Sequence, residues 1–322
     1  MEIIALVAMQ KASLKIRRFQ PHDVTCLKTA FRQTLRHGEG VMVIDFHTHI
    51  FPADMIENRE RFFHDEPAFK LLYDSPKSKM VGADDLIRIM DEDRVDQSVV
   101  FGFPWVHSDY YKMNNDCIAE AVARYPDRLI GMGCFDLSGS GVEKETERCL
   151  DAGLRGIGEL AFYESGIDGE ALKKMEPVMR LCAEKGFPVL IHTNEPVGHM
   201  YPGKTPITMA QIYNLAAAYP DNRIVLAHWG GGIFFFNLLK KEAREVLKNI
   251  YYDTAASPYL YDPSDYKAAL SLAGEGKILF GSDYPLIKPS RYYKDLDTAG
   301  ISPEDRAAIL GGNAERLLSG SW

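Results

Sequence analysis

Eight short apolar runs, each followed by a stretch of helical periodicity, leave this chain very few folds. The runs are VMVIDF (41–46), QSVVFGF (97–103), LIGMGCF (129–135), LRGIGEL (154–160), PVLIH (188–192), RIVLAH (223–228), IYYD (250–253) and ILFGSD (278–283). Most are continuously apolar rather than alternating, as strands covered on both faces should be. Between them Leu86, Ile89 and Met90 recur at helical spacing. So do Ile118, Ala121, Val122 and Tyr125; Leu172, Met175, Val178, Met179 and Cys182; and Ile212, Leu215 and Tyr219. Strand then helix, eight times over, predicts an α/β protein with a parallel (β/α)₈ barrel. An open doubly wound sheet is the runner-up, but it would gather its ligand groups at one switch point.

The polar residues decide between the two. His47, His49, Glu159, His192, His228 and Asp283 follow or close runs one, four, five, six and eight. Only a closed ring brings those five strand ends together easily, at the C-terminal mouth where such barrels carry their chemistry. Imidazoles and carboxylates are good ligands for Zn²⁺ and similar divalent ions. Strand alternation sends residues i and i+2 to one side, so His47 and His49 can reach a single ion. Blander readings exist: Asp283 could cap a helix, and Glu159 could be a buried partner of Arg155 or of a backbone donor.

Bulk properties narrow the function further. Length and composition suit one large globular core. The net charge of −8 speaks against a general nucleic-acid surface. No apolar run approaches the ~20 residues of a membrane span. Five cysteines without a CxxC pair read as reduced thiols in a cytoplasmic protein. The first 40 residues differ: seven Lys/Arg against three acids give them +4, which leaves −12 for the rest. They are expected to be an accessory extension, poorly ordered, outside a barrel spanning 41–322. Their opening apolar run is too short for a signal peptide.

The DFHTHIFP opening, the IHTNEP and AHWGGG segments, the GSDYP end and the GGNAERLL tail together resemble the amidohydrolase superfamily. The similarity is to its amidohydrolase-related group, which includes aminocarboxymuconate semialdehyde decarboxylase, and it runs over residues 42–318. It implies a (β/α)₈ barrel with His47, His49, His192 and Asp283 as metal ligands. It leaves His228 between two roles, an acid/base beside a single ion or a ligand of a second. A strand-4 carboxylate such as Glu159 matches the bridging group of two-metal hydrolases, so two ions, with zinc the expected metal, are slightly favoured over one.

The expected activity is hydrolysis of a small amide, ester or lactone. A divalent ion with an open position lowers the pKa of its water toward ~7. Asp283 would take that proton and pass it on, and His228 would stabilise the oxyanion. The alternative is a non-oxidative decarboxylase of an unsaturated or aromatic carboxylic acid; a metal-binding scaffold without catalysis is a third reading. Substrate contacts are expected from Trp105, Tyr163, Glu195, His199, Lys204, Trp229 and Arg59, with Lys204 and Arg59 holding a substrate carboxylate. Rim packing is the alternative for the aromatics, and a solvated surface for the charges. Gly230, Gly231 and Gly232 are expected to allow close backbone approach. The expected partner is a small molecule, and self-association is compatible with the chain.

Overall fold

The computed structural model describes residues 40–139 and 141–320. The expectations for the first 39 residues lie outside the described residues. All eight apolar runs form strands: β1 (Ile44–His49), β2 (Gln97–Phe101), β3 (Leu129–Gly131), β4 (Ile157–Leu160), β5 (Val189–Ile191), β6 (Ile224–Leu226), β7 (Ile250–Asp253) and β8 (Ile278–Leu279). Parallel pairing runs β1-β2-β3 and β4-β5-β6-β7-β8.

Backbone hydrogen bonds close the two gaps between these sheets. Arg155 N donates to Gly131 O at 2.7 Å and Gly158 N to Gly133 O at 2.8 Å, which joins β3 to β4. Phe46 N donates to Phe280 O at 2.7 Å and Asp283 N to His47 O at 2.9 Å, which joins β8 to β1. The fold is the (β/α)₈ barrel.

Two apolar layers follow from the two faces of each strand. Inside the ring lie Ile44, Phe46, Val99, Phe101, Met132, Cys134, Leu190, Val225 and Leu279. Outside it, strand residues such as Val100, Ile157, Ile191 and Leu226 pack against the helices. The helical stripes land where their spacing puts them. Leu86, Ile89 and Met90 are buried on Ala83–Asp93, and Met175, Val178, Met179 and Cys182 on Gly169–Lys185. Local chemistry sets the ends: Asp168 accepts from Glu170 N and Ala171 N at the start of Gly169–Lys185, and Gly186 at φ 67° ends it. Thr208 and Gln211 form a reciprocal capping box before Met209–Ala218.

The long connection after β1 contains three short helical pieces, including Pro67–Tyr73, where helix was expected around Glu66–Leu72. Its aromatic residues pack as a block, Phe69 lying 4.2 Å from Trp105 and 4.7 Å from Tyr73 between ring centres. Among the described residues no helix is long and apolar enough to cross a membrane.

Candidate metal centre

Strand β1 does not alternate all the way through. Ile44 and Phe46 face the interior, and the pairing with β2 shifts register between Asp45 and Thr48. That irregularity changes the phase of the strand, as bulges do near active sites. His47 and His49 are thereby turned together, their Nε2 atoms 3.3 Å apart.

Asp283 arrives from the far side of the seam. Its Oδ1 lies 3.4 Å from His49 Nε2 and 3.6 Å from His47 Nε2. Glu159, at the end of β4, brings Oε2 to 3.7 Å from His47 Nε2 and 3.8 Å from His49 Nε2. Donors sharing a tetrahedral ion at ~2.1 Å stand about 3.4 Å from one another. His47, His49 and Asp283 therefore have the spacing that a single divalent ion needs, Glu159 has it toward both histidines, and these donor types suit such an ion.

His192 stands one step away. Its Nδ1 lies 2.9 Å from the other carboxylate oxygen of Glu159, and its Nε2 lies 2.9 Å from Gly203 O. His228 faces the same oxygen, with Nε2 at 3.6 Å from Glu159 Oε1. Three overlapping groups could hold an ion: His47, His49 and Glu159; His47, His228 and Asp283; and Glu159, His192 and His228. Glu159 thus turns into the mouth between the histidines, and not toward Arg155.

Behind the donors a fixed frame holds the rings. Asp253, at the end of β7, brings Oδ2 to 2.8 Å from His47 Nδ1, while its Oδ1 accepts from His228 N at 2.9 Å and Ala255 N at 3.0 Å. A carboxylate behind a ligating imidazole fixes its tautomer and raises its basicity. His49 Nδ1 pairs with Gly102 O and His228 Nδ1 with Ala255 O, both at 3.0 Å. Asp45 is buried below, accepting from Ser282 N at 2.8 Å. His228 and Asp283 have φ of 53° and 61°, a left-handed conformation that costs roughly 1 kcal/mol or more per residue. The bonds from His228 N to Asp253 and from Asp283 N to His47 O offset it.

The electrostatics follow from this packing. Burial disfavours charge on Glu159, but His47 and His192 outweigh it and hold the carboxyl well below its usual range. Asp283 is likewise lowered against its burial, by His49, His47 and His228. Burial works against a charged His47, yet the anions Asp253 and Glu159 push the imidazole up to about 10. His228 is raised too, Glu159 and Asp283 prevailing over its burial.

Several expected substrate contacts are corrected by the structure. Trp105 and Trp229 are fully buried. Trp105 donates Nε1–H to Asn114 Oδ1 within the aromatic block, and Trp229 donates to Ser257 Oγ at 2.6 Å, its ring against Tyr266. Each is a packing residue whose polar atom is already satisfied. Arg59 is anchored on the connection after β1, where its Nη1 donates to the carbonyls of Tyr73, Ser75 and Ser78. Lys204 is held by Glu195 Oε1 at 2.7 Å and Val197 O at 2.6 Å, and Tyr201 donates to the other oxygen of Glu195. His199 is exposed, near Tyr201. Tyr163 does reach the mouth, its ring nearly parallel to His192 with centres 6.4 Å apart. Gly231, at φ 60°, approaches Asn194 so closely that a Cβ would stand 2.2 Å from its carbonyl oxygen. Asp253 is the residue missed in the sequence, although IYYD carried the same signal, a carboxylate closing an apolar run.

Known proteins place these features. The Amidohydrolase family model matches residues 44–320. A 2-amino-3-carboxymuconate-6-semialdehyde decarboxylase from Dictyostelium discoideum is 25% identical, over 85% of this chain and 91% of its own length. A 6-methylsalicylic acid decarboxylase from Penicillium expansum is 24% identical, over 85% and 95%. Among solved structures, a 5-carboxyvanillate decarboxylase from Novosphingobium aromaticivorans, complexed with manganese and 4-hydroxy-3-methoxy-5-nitrobenzoic acid, superposes with a TM-score of 0.70 at 18% identity, over 88% of this chain and 97% of that one. These proteins are carboxy-lyases, which overturns the expectation of an amide, ester or lactone hydrolase. That expectation leaned on Glu159. The residue does enter the mouth, but an inward strand-4 carboxylate does not by itself specify hydrolysis, since here it also neutralises buried imidazoles. Imidazole and carboxylate donors suit several divalent ions, so the expected zinc is not singled out. The chain belongs to the amidohydrolase superfamily, in the amidohydrolase-related group that includes aminocarboxymuconate semialdehyde decarboxylase.

Proposed function

We propose that the protein is a metal-dependent, non-oxidative decarboxylase of an unsaturated or aromatic carboxylic acid. The observation that carries this reading is that both curated relatives, each matched over 85% of the chain, are decarboxylases. The geometry supports it. His47, His49 and Asp283, with Glu159 as fourth donor, would hold one divalent ion, manganese or zinc. Once bound, the ion supplies positive charge that anchors the acid and draws electron density from it.

The chain's own residues supply the proton. His228 is buried, tied to Ala255 O through Nδ1, and presents Nε2 to the mouth. The neighbouring carboxylates of Glu159 and Asp283 raise its pKa against its burial, which favours the protonated ring. In the proposed step His228 Nε2 gives that proton to the carbon bearing the carboxylate. The bond from that carbon to the carboxylate then breaks, its electron pair stays with the carbon skeleton, and CO₂ leaves. Solvent reprotonates His228. Net, one carboxylate and one proton become one C–H bond and CO₂. The buried frame around Asp253 keeps the imidazole aimed during the transfer.

The test is a screen of manganese- and zinc-loaded protein for CO₂ release from hydroxybenzoic and unsaturated acids, beside a panel of esters, lactones and amides. CO₂ is the expected product. His228→Gln should lower kcat by 10²- to 10⁴-fold while metal content is kept. Ester or amide cleavage without CO₂ release would defeat the proposal.

A further inference from the structure

One buried carboxylate stands outside the donor set yet touches both segments that carry it. Asp45 is fully buried. Its neighbours Ile44 and Phe46 face the barrel interior, so Asp45 points the other way, toward the segment that follows β8. Its partners are hydrogen-bond donors from Ser282 and His47, and none is a Lys or Arg. Burying a carboxylate without a cation is costly, and an apolar side chain would fill the same volume at less cost. The reason for an acid here lies in its bonds.

Those bonds form a staple across the seam between β8 and β1. Oδ1 accepts from Ser282 N at 2.8 Å and from His47 N at 3.2 Å, and Oδ2 accepts from Ser282 Oγ. One carboxylate thereby joins the backbone of a candidate ligand to the residue preceding another, Asp283. Both places need holding. Asp45 lies at the start of the register shift in β1. Strand β8 ends at Leu279, so Ser282 lies beyond it, and Asp283 next to it has φ 61°.

Ser282 is fixed from its other sides as well. Its Oγ accepts from Tyr284 N at 3.1 Å, and its carbonyl oxygen accepts from the buried Tyr292 hydroxyl at 2.7 Å. The segment runs so close to His47 that a Cβ on Gly281 would stand 2.8 Å from the His47 Cβ. Slack in it would therefore be felt at the donors, where Asp283 Oδ1 lies 3.4 and 3.6 Å from the two imidazoles. The residue type follows from the same geometry. All three partners donate, and a carboxylate accepts from all of them. An amide cannot: its NH₂ group would face either the two N–H groups or Ser282 Oγ, whose proton would then lose its acceptor.

From these contacts, and resting on the assignment of His47, His49 and Asp283 as ligands, we infer that Asp45 is a positioning residue of the metal centre. It acts through two backbones and not as a donor to the ion. By fixing His47 N and Ser282 N on one oxygen it sets Asp283 against the histidine pair, and metal affinity and ligand geometry depend on it.

Two measurements test this without any substrate: manganese affinity by chelator competition, and the visible absorption of the cobalt(II)-loaded protein. Asp45→Asn should weaken manganese about 10- to 100-fold and alter the cobalt bands. Ser282→Ala, the milder change, should weaken manganese about three- to tenfold and alter the bands in the same sense. With Ser282 Oγ gone, the oxygen of an asparagine can serve both N–H groups, so adding Asp45→Asn to Ser282→Ala should cost no more than about a further threefold. Thermal melting of the metal-free proteins gives the folded fraction to which each affinity refers. If Asp45→Asn does not fold, Ser282→Ala decides alone. Melting lowered in Ser282→Ala with manganese affinity and cobalt bands unchanged would mark a purely structural role and overturn the inference, as would losses that simply multiply in the double variant. Unmodified protein that binds neither ion rejects the ligand assignment, whereas metal bound equally well by all the variants rejects the positioning role alone.

Discussion

The two sides of the mouth are built differently. On the β7–β8–β1 side, His47, His49 and Asp283 come from strand ends, and each is held from behind by an element of the ring. Asp253 holds His47, Gly102 O holds His49, and the backbone of His47 holds Asp283. On the β5 side, His192 is tied through Nε2 to Gly203, a residue of the long loop leading to the Met209 helix. That loop keeps its shape through Glu195, Tyr201 and Lys204, and it touches the connection after β1, where a Cβ on Gly203 would stand 3.3 Å from Leu72. Buried strand backbone moves little, while loops move more and carry selectivity. Metal affinity should therefore belong to the first side, and choice of substrate to the second.

The strongest challenge to that division is His47→Ala, which should abolish both metal retention and turnover. Metal content close to that of the unmodified protein, read by elemental analysis, would remove His47 from the centre. Asp253→Asn comes next. It leaves the ligands in place but weakens the hold on His47 and on His228 N, so metal affinity should fall about 10- to 100-fold. A larger loss of activity than of metal would shift Asp253's role toward aiming His228.

pH supplies a third measurement. Because its anionic neighbours raise His47 to about 10 against the effect of burial, the metal-free ring carries a proton at neutral pH. A ligating imidazole must be neutral, so the ion displaces that proton and affinity rises with pH until the ring loses it unaided. With one proton released, loading at pH 8.5 should be about 100-fold tighter than at pH 6.5. A flat profile in a chelator competition would show that His47 is already neutral.

The smallest effect is expected on the loop side. Lys204→Met leaves Glu195 without its cation and should loosen residues 194–208, seen as faster amide hydrogen exchange there. KM should change severalfold and metal content not at all. Metal loss in this variant would mean that His192 and its loop govern the ion after all, and the contrast between the two sides would fall.

Much of the barrel was open to reading from the chain itself. Eight buried parallel strands need eight continuous apolar runs, and amphipathic helices need their stripes, so local periodicity carries both. The strand-end position of His47, His49, Glu159, His192, His228 and Asp283 was legible for the same reason, since direction along a strand is written in the sequence. Asp253 was visible and passed over, because a lone carboxylate closing IYYD gives no hint that it faces an imidazole 206 positions earlier.

What the tertiary structure alone decided concerns partnership. Nothing local tells that β1 shifts register between Asp45 and Thr48 and swings both histidines inward. Composition cannot say that Trp105 and Trp229 satisfy their N–H groups in the core, or that Arg59 and Lys204 are already bonded within the chain. Periodicity depends on neighbours a few residues apart, and the sequence contains it whole. Whether a charge is free or taken depends on groups that meet only when distant segments pack, and for that the folded chain is required.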